Sequence, residues 1–102
     1  MTQILKLEDK TIIRTDSRID TTNAAQFEQA VQPVLSETGL DVEMDCSELA
    51  YMSSSGLRII QNAMRAIMTN KGHFKMTNVR PEVYKVLAMT GFTKFMKVEQ
   101  KL

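Results

Sequence analysis

A change of period constrains this chain more than any other feature. Asp41-Val42-Glu43-Met44-Asp45-Cys46 alternates strictly between acidic and apolar residues. A period of two lays Val42, Met44 and Cys46 on one side of a strand and the three carboxylates on the other. A few residues later, Leu57, Ile60, Ala63, Met64, Ile67 and Met68 recur at helical spacing, the strongest such stripe in the chain. Between the two lies Tyr51-Met52-Ser53-Ser54-Ser55-Gly56-Leu57-Arg58, three hydroxyls and a glycine where a strand hands over to a helix. Backbone N–H groups at such a junction point outward unpaired, which suits an oxyanion or a phosphate. A strand buried on both faces would be apolar throughout, so the carboxylate-lined side predicts a sheet covered by helices mainly on one face, or a strand whose other face is partly wet.

The rest of the chain fits around that unit. Gln3 to Leu7 and Thr11 to Thr15, joined by Glu8-Asp9-Lys10, read as two strands of a hairpin. Asn23 with Gln26 has the form of a capping box, opening a helix that runs to about Glu37. Ala24, Phe27, Val31, Val34 and Leu35 are its buried stripe, Pro33 is expected to kink it or shorten its last turn, and Gly39 to cap it. Lys71-Gly72 ends the second helix with a cation in the last turn and a glycine after it. His73 to Thr77 reads as a strand, and Pro81 as the first turn of a third helix with Val83, Val86 and Leu87 inward and Gly91 as its cap. Phe95 to Val98 reads as a last strand or short helix. Strands alternating with helices imply right-handed crossovers. The expected fold is therefore α/β: a mixed, mostly parallel sheet of about four to five strands whose first hairpin adds an antiparallel edge. Residues 1–102 form one domain on this reading. Sites in open sheets of this kind gather at the carboxyl ends of the strands, where the serine run falls.

Composition narrows the function. The net charge is +1 and the thirteen basic residues are scattered, which argues against nucleic acid as a partner. Cys46 is the single cysteine, so no disulfide framework is expected, and a reducing cytoplasm is the simpler setting. No signal-peptide pattern and no membrane span is visible. Eight methionines point to an adaptable core or to a contact surface that can re-pack.

The serines do not read as catalytic. A serine nucleophile needs a base within hydrogen-bond reach, and His73, the single histidine, stands at the far end of the second helix, roughly 20 Å or more away at 1.5 Å rise per residue. Position 52 is methionine, so there is no Gly-x-Ser-x-Gly elbow, and no Ser-x-x-Lys pair is present. Asp41, Glu43 and Asp45 share a strand face with no second cluster to complete a coordination shell, and no Walker loop or Gly-x-Gly-x-x-Gly appears, so no metal or cofactor is expected. Cys46 reads as a small buried hydrophobe. Serines also simply cap helices, although three in a row exceed what one cap requires.

Four stretches together resemble the STAS domain family, whose best-known members are bacterial anti-sigma factor antagonists. They are Ile19-Asp20; Asp45 within Met44-Asp45-Cys46-Ser47; the run from Tyr51 to Leu57; and Leu87-Ala88-Met89-Thr90-Gly91-Phe92. The likeness spans nearly the whole chain. It implies that Ser54 is the phosphorylation site, with Ser55 and Ser53 as lesser alternatives. It implies a switch surface of Asp20, Asp45, Ser53, Ser54, Ser55, Gly56 and Arg58. The unphosphorylated form would bind an anti-sigma factor that is also a serine kinase, and a serine phosphatase would reset it. The protein would not be an enzyme. One departure is visible: the family's usual aspartate before the acceptor is Ser53 here. The resemblance also admits an alternative, a non-phosphorylated STAS subunit of a transport or sensory assembly, binding a partner constitutively.

The physics of such a switch is simple. A phosphate on Ser54 adds about −1.5 to −2 charge at neutral pH. At a helix N-terminus it meets free N–H groups and the positive dipole end, so the fold should tolerate it. Arg58, four residues on, is on the same helix face.

Overall fold

The computed structural model describes residues 2–101. Their strands are β1 (Gln3–Lys6), β2 (Thr11–Arg14), β3 (Arg18–Ile19), β4 (Asp41–Asp45), β5 (Tyr51–Met52), β6 (His73–Val79) and β7 (Lys97–Gln100). Their α-helices are α1 (Ala24–Leu35), α2 (Ser54–Thr69) and α3 (Pro81–Met89), with a 3-10 turn over Phe92–Lys94.

The main sheet has the order β1-β2-β4-β6-β7. The β1–β2 hairpin is antiparallel, and every other neighbouring pair is parallel. This is the mixed, mostly parallel sheet expected from the sequence. The alternation in β4 holds: Val42, Met44 and the following Cys46 are fully buried, while Glu43 and Asp45 are half-buried on the other face. Ile13, Met44 and Met76 lie side by side in register on the inner face. There they join Phe27, Val31 and Val34 of α1, Ile60, Met64 and Ile67 of α2, and Val83 and Leu87 of α3 in one core. The opposite face carries an ionic ladder instead. Glu43 pairs with Lys10 and Lys75, and Glu99 pairs with Lys75 and Lys97.

Two short strands were not visible as periodic segments, because two residues cannot show a period of two. The strand leading into the serine run is β5, not β4. β3 and β5 pair in parallel, with Arg18 beside Tyr51 and Ile19 beside Met52. They extend the β2–β4 ladder past a loop: the Thr15 N–H donates to the Asp45 carbonyl, and the Ala50 N–H to the Ser17 carbonyl.

Several local expectations need correction. Asn23 sits at the N-cap of α1 but makes no capping-box bond. Its amide is spent backwards, Oδ1 accepting from the Asp20 N–H and Nδ2 donating to the Arg18 carbonyl. α1 stops at Leu35 rather than Glu37, two residues after Pro33, and Ser36 takes the C-cap in place of Gly39. α2 ends at Thr69, before Lys71. Lys71 itself takes the left-handed position (φ 64°), its N–H donating to the Met68 carbonyl while Gly72 N–H donates to Ile67. Gly72 is there for room: a Cβ would lie 2.6 Å from the Leu40 carbonyl oxygen. Met68 and Val86, expected inward, are 54% and 40% exposed. Thr90 takes the C-cap of α3 in place of Gly91, which follows it in the left-handed region at φ 79° and opens the 3-10 turn.

Candidate functional site

The site is built by the parallel pairing of β3 with β5. Register places Asp20 next to Ser53 at the carboxyl ends of the two strands, and the Ser53 N–H donates to the Ile19 carbonyl at 2.8 Å. The chain then turns directly into α2. Ser53 is the N-cap, its Oγ accepting from the Gly56 N–H at 3.3 Å. Gly56 allows the helix to come down close on the strands, since a Cβ there would stand 2.6 Å from Ile19 Cγ2 and 3.1 Å from Met52 Cγ.

This geometry separates the three serines. Ser53 is half-buried and committed to capping. Ser55 is half-buried on the next helical position. Ser54 opens the helix and is exposed, and among the described residues no side chain hydrogen-bonds its hydroxyl. The N–H groups of Ser54 and Ser55 precede the first intrahelical donors and face outward. Arg58, one turn on, is exposed and in no ion pair among the described residues.

Asp20 is held tightly beside this helix mouth. Oδ1 accepts from the Thr22 hydroxyl and from the Thr22 N–H at 2.9 Å, and Oδ2 from Arg18 Nε at 2.9 Å. The Thr22 bonds, then Arg18, hold its carboxyl below the usual carboxylate range. The Arg18 guanidinium also lies over the Tyr51 ring, 5.2 Å from the centroid. Arg18 and Tyr51 were not singled out as functional side chains in the sequence. Each stands two residues before its partner at the strand end, Asp20 and Ser53, and that matched offset was the available signal.

Asp45 belongs to a neighbouring cluster. Its carboxylate accepts from Arg14 Nε at 3.3 Å, from Asn78 Nδ2 at 3.1 Å and from the Ser47 N–H at 3.0 Å. Burial raises its pKa, but the bonds from Asn78, Ser47 and Arg14 outweigh burial and leave it lowered. Among the described residues no hydrogen bond links Asp45 to the serine run. Its role is to pin the β4 end and the Ser47 loop, whose carbonyl in turn accepts from Arg80 Nε at 3.1 Å. Among the described residues no group of three or more His, Cys, Asp or Glu side chains could hold a metal ion.

The mouth of α2 thus brings together an exposed hydroxyl, a fixed carboxylate on the neighbouring strand end and an exposed guanidinium one turn along the helix.

The family model of the STAS domain matches residues 2–102. The anti-sigma-B factor antagonist of Staphylococcus epidermidis is 20% identical over 88 residues, 86% of this chain and 82% of that protein. The solved anti-sigma factor antagonist of Mycobacterium paratuberculosis superposes with a TM-score of 0.88 at 20% identity, covering 100% of this chain and 86% of that one. SpoIIAA in its unphosphorylated form superposes with a TM-score of 0.80 at 20% identity, over 96% of this chain and 87% of that one. Matched along its length by that model and sharing the architecture of these solved structures, the chain belongs to the STAS domain family.

Proposed function

We propose that this protein is an anti-sigma factor antagonist whose docking surface is the mouth of α2 and whose switch is phosphorylation of Ser54. The observation that carries the reading is the division of labour among the serines. Ser53 caps the helix, so Ser54 is free to be modified without loss of structure. The family's usual aspartate is also a good N-cap, so Ser53 keeps that structural part of its role. Asp20, in register beside it, keeps a carboxylate at the same edge. The relative from Staphylococcus epidermidis carries the antagonist's name, and SpoIIAA has been solved in a phosphorylated form as well.

The partner is an anti-sigma factor that is itself a serine kinase, with a serine phosphatase resetting the switch, in the cytoplasm. Among the described residues no helix is long and apolar enough to cross a membrane. The Ser54 phosphate stays solvated at the N-terminus of α2 and pairs with Arg58, so the fold is unchanged. A partner packed over the same spot has to bury that charge. A penalty of only ~3 kcal/mol weakens binding by roughly two orders of magnitude.

The test is incubation with ATP and the cognate kinase, read by intact mass. One phosphate is expected on the protein and none on Ser54→Ala. A mass gain that survives Ser54→Ala refutes the assignment. Ser54→Asp is expected to keep the melting temperature near that of the unsubstituted protein while weakening kinase binding. A large fall in melting temperature would mark Ser54 as a structural residue instead. One observation favours a second reading, a constitutively bound STAS subunit of a transport or sensory assembly: the residue before Ser54 is Ser53 and not aspartate. Co-purification with transporter subunits and no kinase, with Ser54 unmodified, would decide for it.

A further inference from the structure

The side of α2 that begins at Ser54 is exposed at Arg58, Arg65 and Met68, half-buried at Leu57 and Gln61, and buried at Met64. Ser54, Leu57, Arg58, Gln61, Met64, Arg65 and Met68 follow one another at spacings of three and four, so they form one stripe along the helix. Halfway along it lies a groove of about 190 Å³ between α2 and the turn after α3, lined by Leu57, Gln61, Met64, Arg65, Thr90, Phe92 and Phe95. Phe95 is 69% exposed at its rim, and Met68, 54% exposed, lies with Phe95 along an adjoining cleft. A large aromatic and a methionine left open side by side are an unusual expense for a surface without an occupant. Met64 and Met68 supply the adaptable lining that contact surfaces favour.

The charge on this stripe has one sign. α2 carries Arg58 and Arg65 and no carboxylate, and neither arginine is in an ion pair among the described residues. None of the groove residues is acidic. The other arginines each have a partner: Arg14 pairs with Asp45, Arg18 with Asp20, and Arg80 donates to the Ser47 carbonyl. Two unmatched guanidiniums flanking an apolar groove are complementary to carboxylates flanking an apolar side chain.

We propose that this stripe docks an acidic amphipathic segment of the partner protein, with one bulky apolar side chain in the groove between Met64 and Phe95 and carboxylates on Arg58 and Arg65. The proposal rests on the reading above that a partner protein docks at Ser54. It adds where that partner's main anchor sits and what its chemistry is. It also explains how one phosphate can act on a whole interface. A phosphate on Ser54, one turn from Arg58, competes for that guanidinium and puts negative charge in the path of an acidic segment.

The probe is a short helical peptide with Leu and Phe one turn apart and Glu elsewhere, titrated into the labelled protein and followed by amide chemical shifts at low salt. Shifts are expected at Leu57, Gln61, Arg65, Phe92 and Phe95. Affinity is expected to fall at least about tenfold in both the Arg58→Glu/Arg65→Glu variant and Phe95→Ser. The same peptide with Lys for Glu is expected to prefer the charge-reversed variant. Absence of shifts, or equal binding of the acidic and basic peptides, overturns the proposal. So does a dimer in sedimentation that Phe95→Ser disperses, since the groove would then belong to a second copy of this chain. No kinase is present in the titration. An unmodifiable Ser54 would therefore defeat the switch and leave the groove standing, while peptide failure beside normal Ser54 phosphorylation would do the reverse.

Discussion

Ser53 and Cys46 show how much of this molecule is decided by single side chains. Ser53 puts its hydroxyl on the Gly56 N–H and so leaves Ser54 with nothing structural to do. That distinction was out of reach in the sequence, where three like residues stand in a row and only the helix start tells them apart. Cys46 was legible, because it ends an alternating strand on the apolar side. Its burial is complete, and burial first, then the Asp45 charge, pushes its thiol up to about 12 from an ordinary 9.0. The consequence for stability has a definite sign. Below about pH 9 the thiol is protonated in both folded and unfolded chains, and it contributes nothing to pH dependence. Between about pH 9 and pH 12 the unfolded chain loses the proton and the folded one keeps it, so stability falls as pH rises. The limiting slope for one proton is about 1.4 kcal/mol per pH unit. Urea midpoints measured from about pH 8 to pH 11 are expected to drop. Cys46→Ala should flatten the curve, and an equal slope in that variant would contradict the assignment.

Among the elements, the long ones announced themselves and the short ones did not. α2 and β4 carry enough residues for their periods to be counted, and both lie where those periods put them. β3 and β5 have two residues each and exist because the backbone of β2 continues past the Asp45 loop to meet the chain again. They are the floor of the site, and Gly56 is the sequence mark of how closely α2 comes down on it. Replacing Gly56 by alanine sets two effects against each other. Alanine gains about 1 kcal/mol of helix propensity. Its Cβ meets Ile19 Cγ2 at 2.6 Å, and Ile19 is 1% exposed with no room to retreat. Overpacking of that kind costs about 1–3 kcal/mol, so the clash wins. Gly56→Ala is expected to lower the denaturation midpoint without changing the m-value. It should also lift the start of α2 off β3, loosening the Asp20–Ser53 register at the mouth of α2. A variant as stable as the parent would mean that α2 does not need this close approach.

The molecule as a whole is a one-sided sheet, and that asymmetry was written in β4 alone. Three helices cover the inner face, while the outer face relies on charge pairs. Two of those pairs count for little: Lys97–Glu99 and Lys75–Glu99 are open to water and screened by salt. Glu43 differs because it sits in the middle strand, only 17% exposed, with Lys10 and Lys75 on one oxygen and the Thr77 hydroxyl on the other at 3.0 Å. Thr77 is 5% exposed, so water cannot readily replace that acceptor. Removing the carboxylate therefore strands a buried hydroxyl, while Lys75 keeps Glu99 and Lys10 turns to water, at a cost of about 1–3 kcal/mol. Glu43→Ala is expected to fall in that range by urea denaturation, and Lys97→Ala to change stability by less than about 0.5 kcal/mol. Glu43→Gln keeps an acceptor for Thr77 and should recover most of the loss, with little response to added salt. If Glu43→Gln were as damaging as Glu43→Ala, the ion pairs and not the Thr77 bond would be holding the open face. Its stability would then fall steeply as salt is raised.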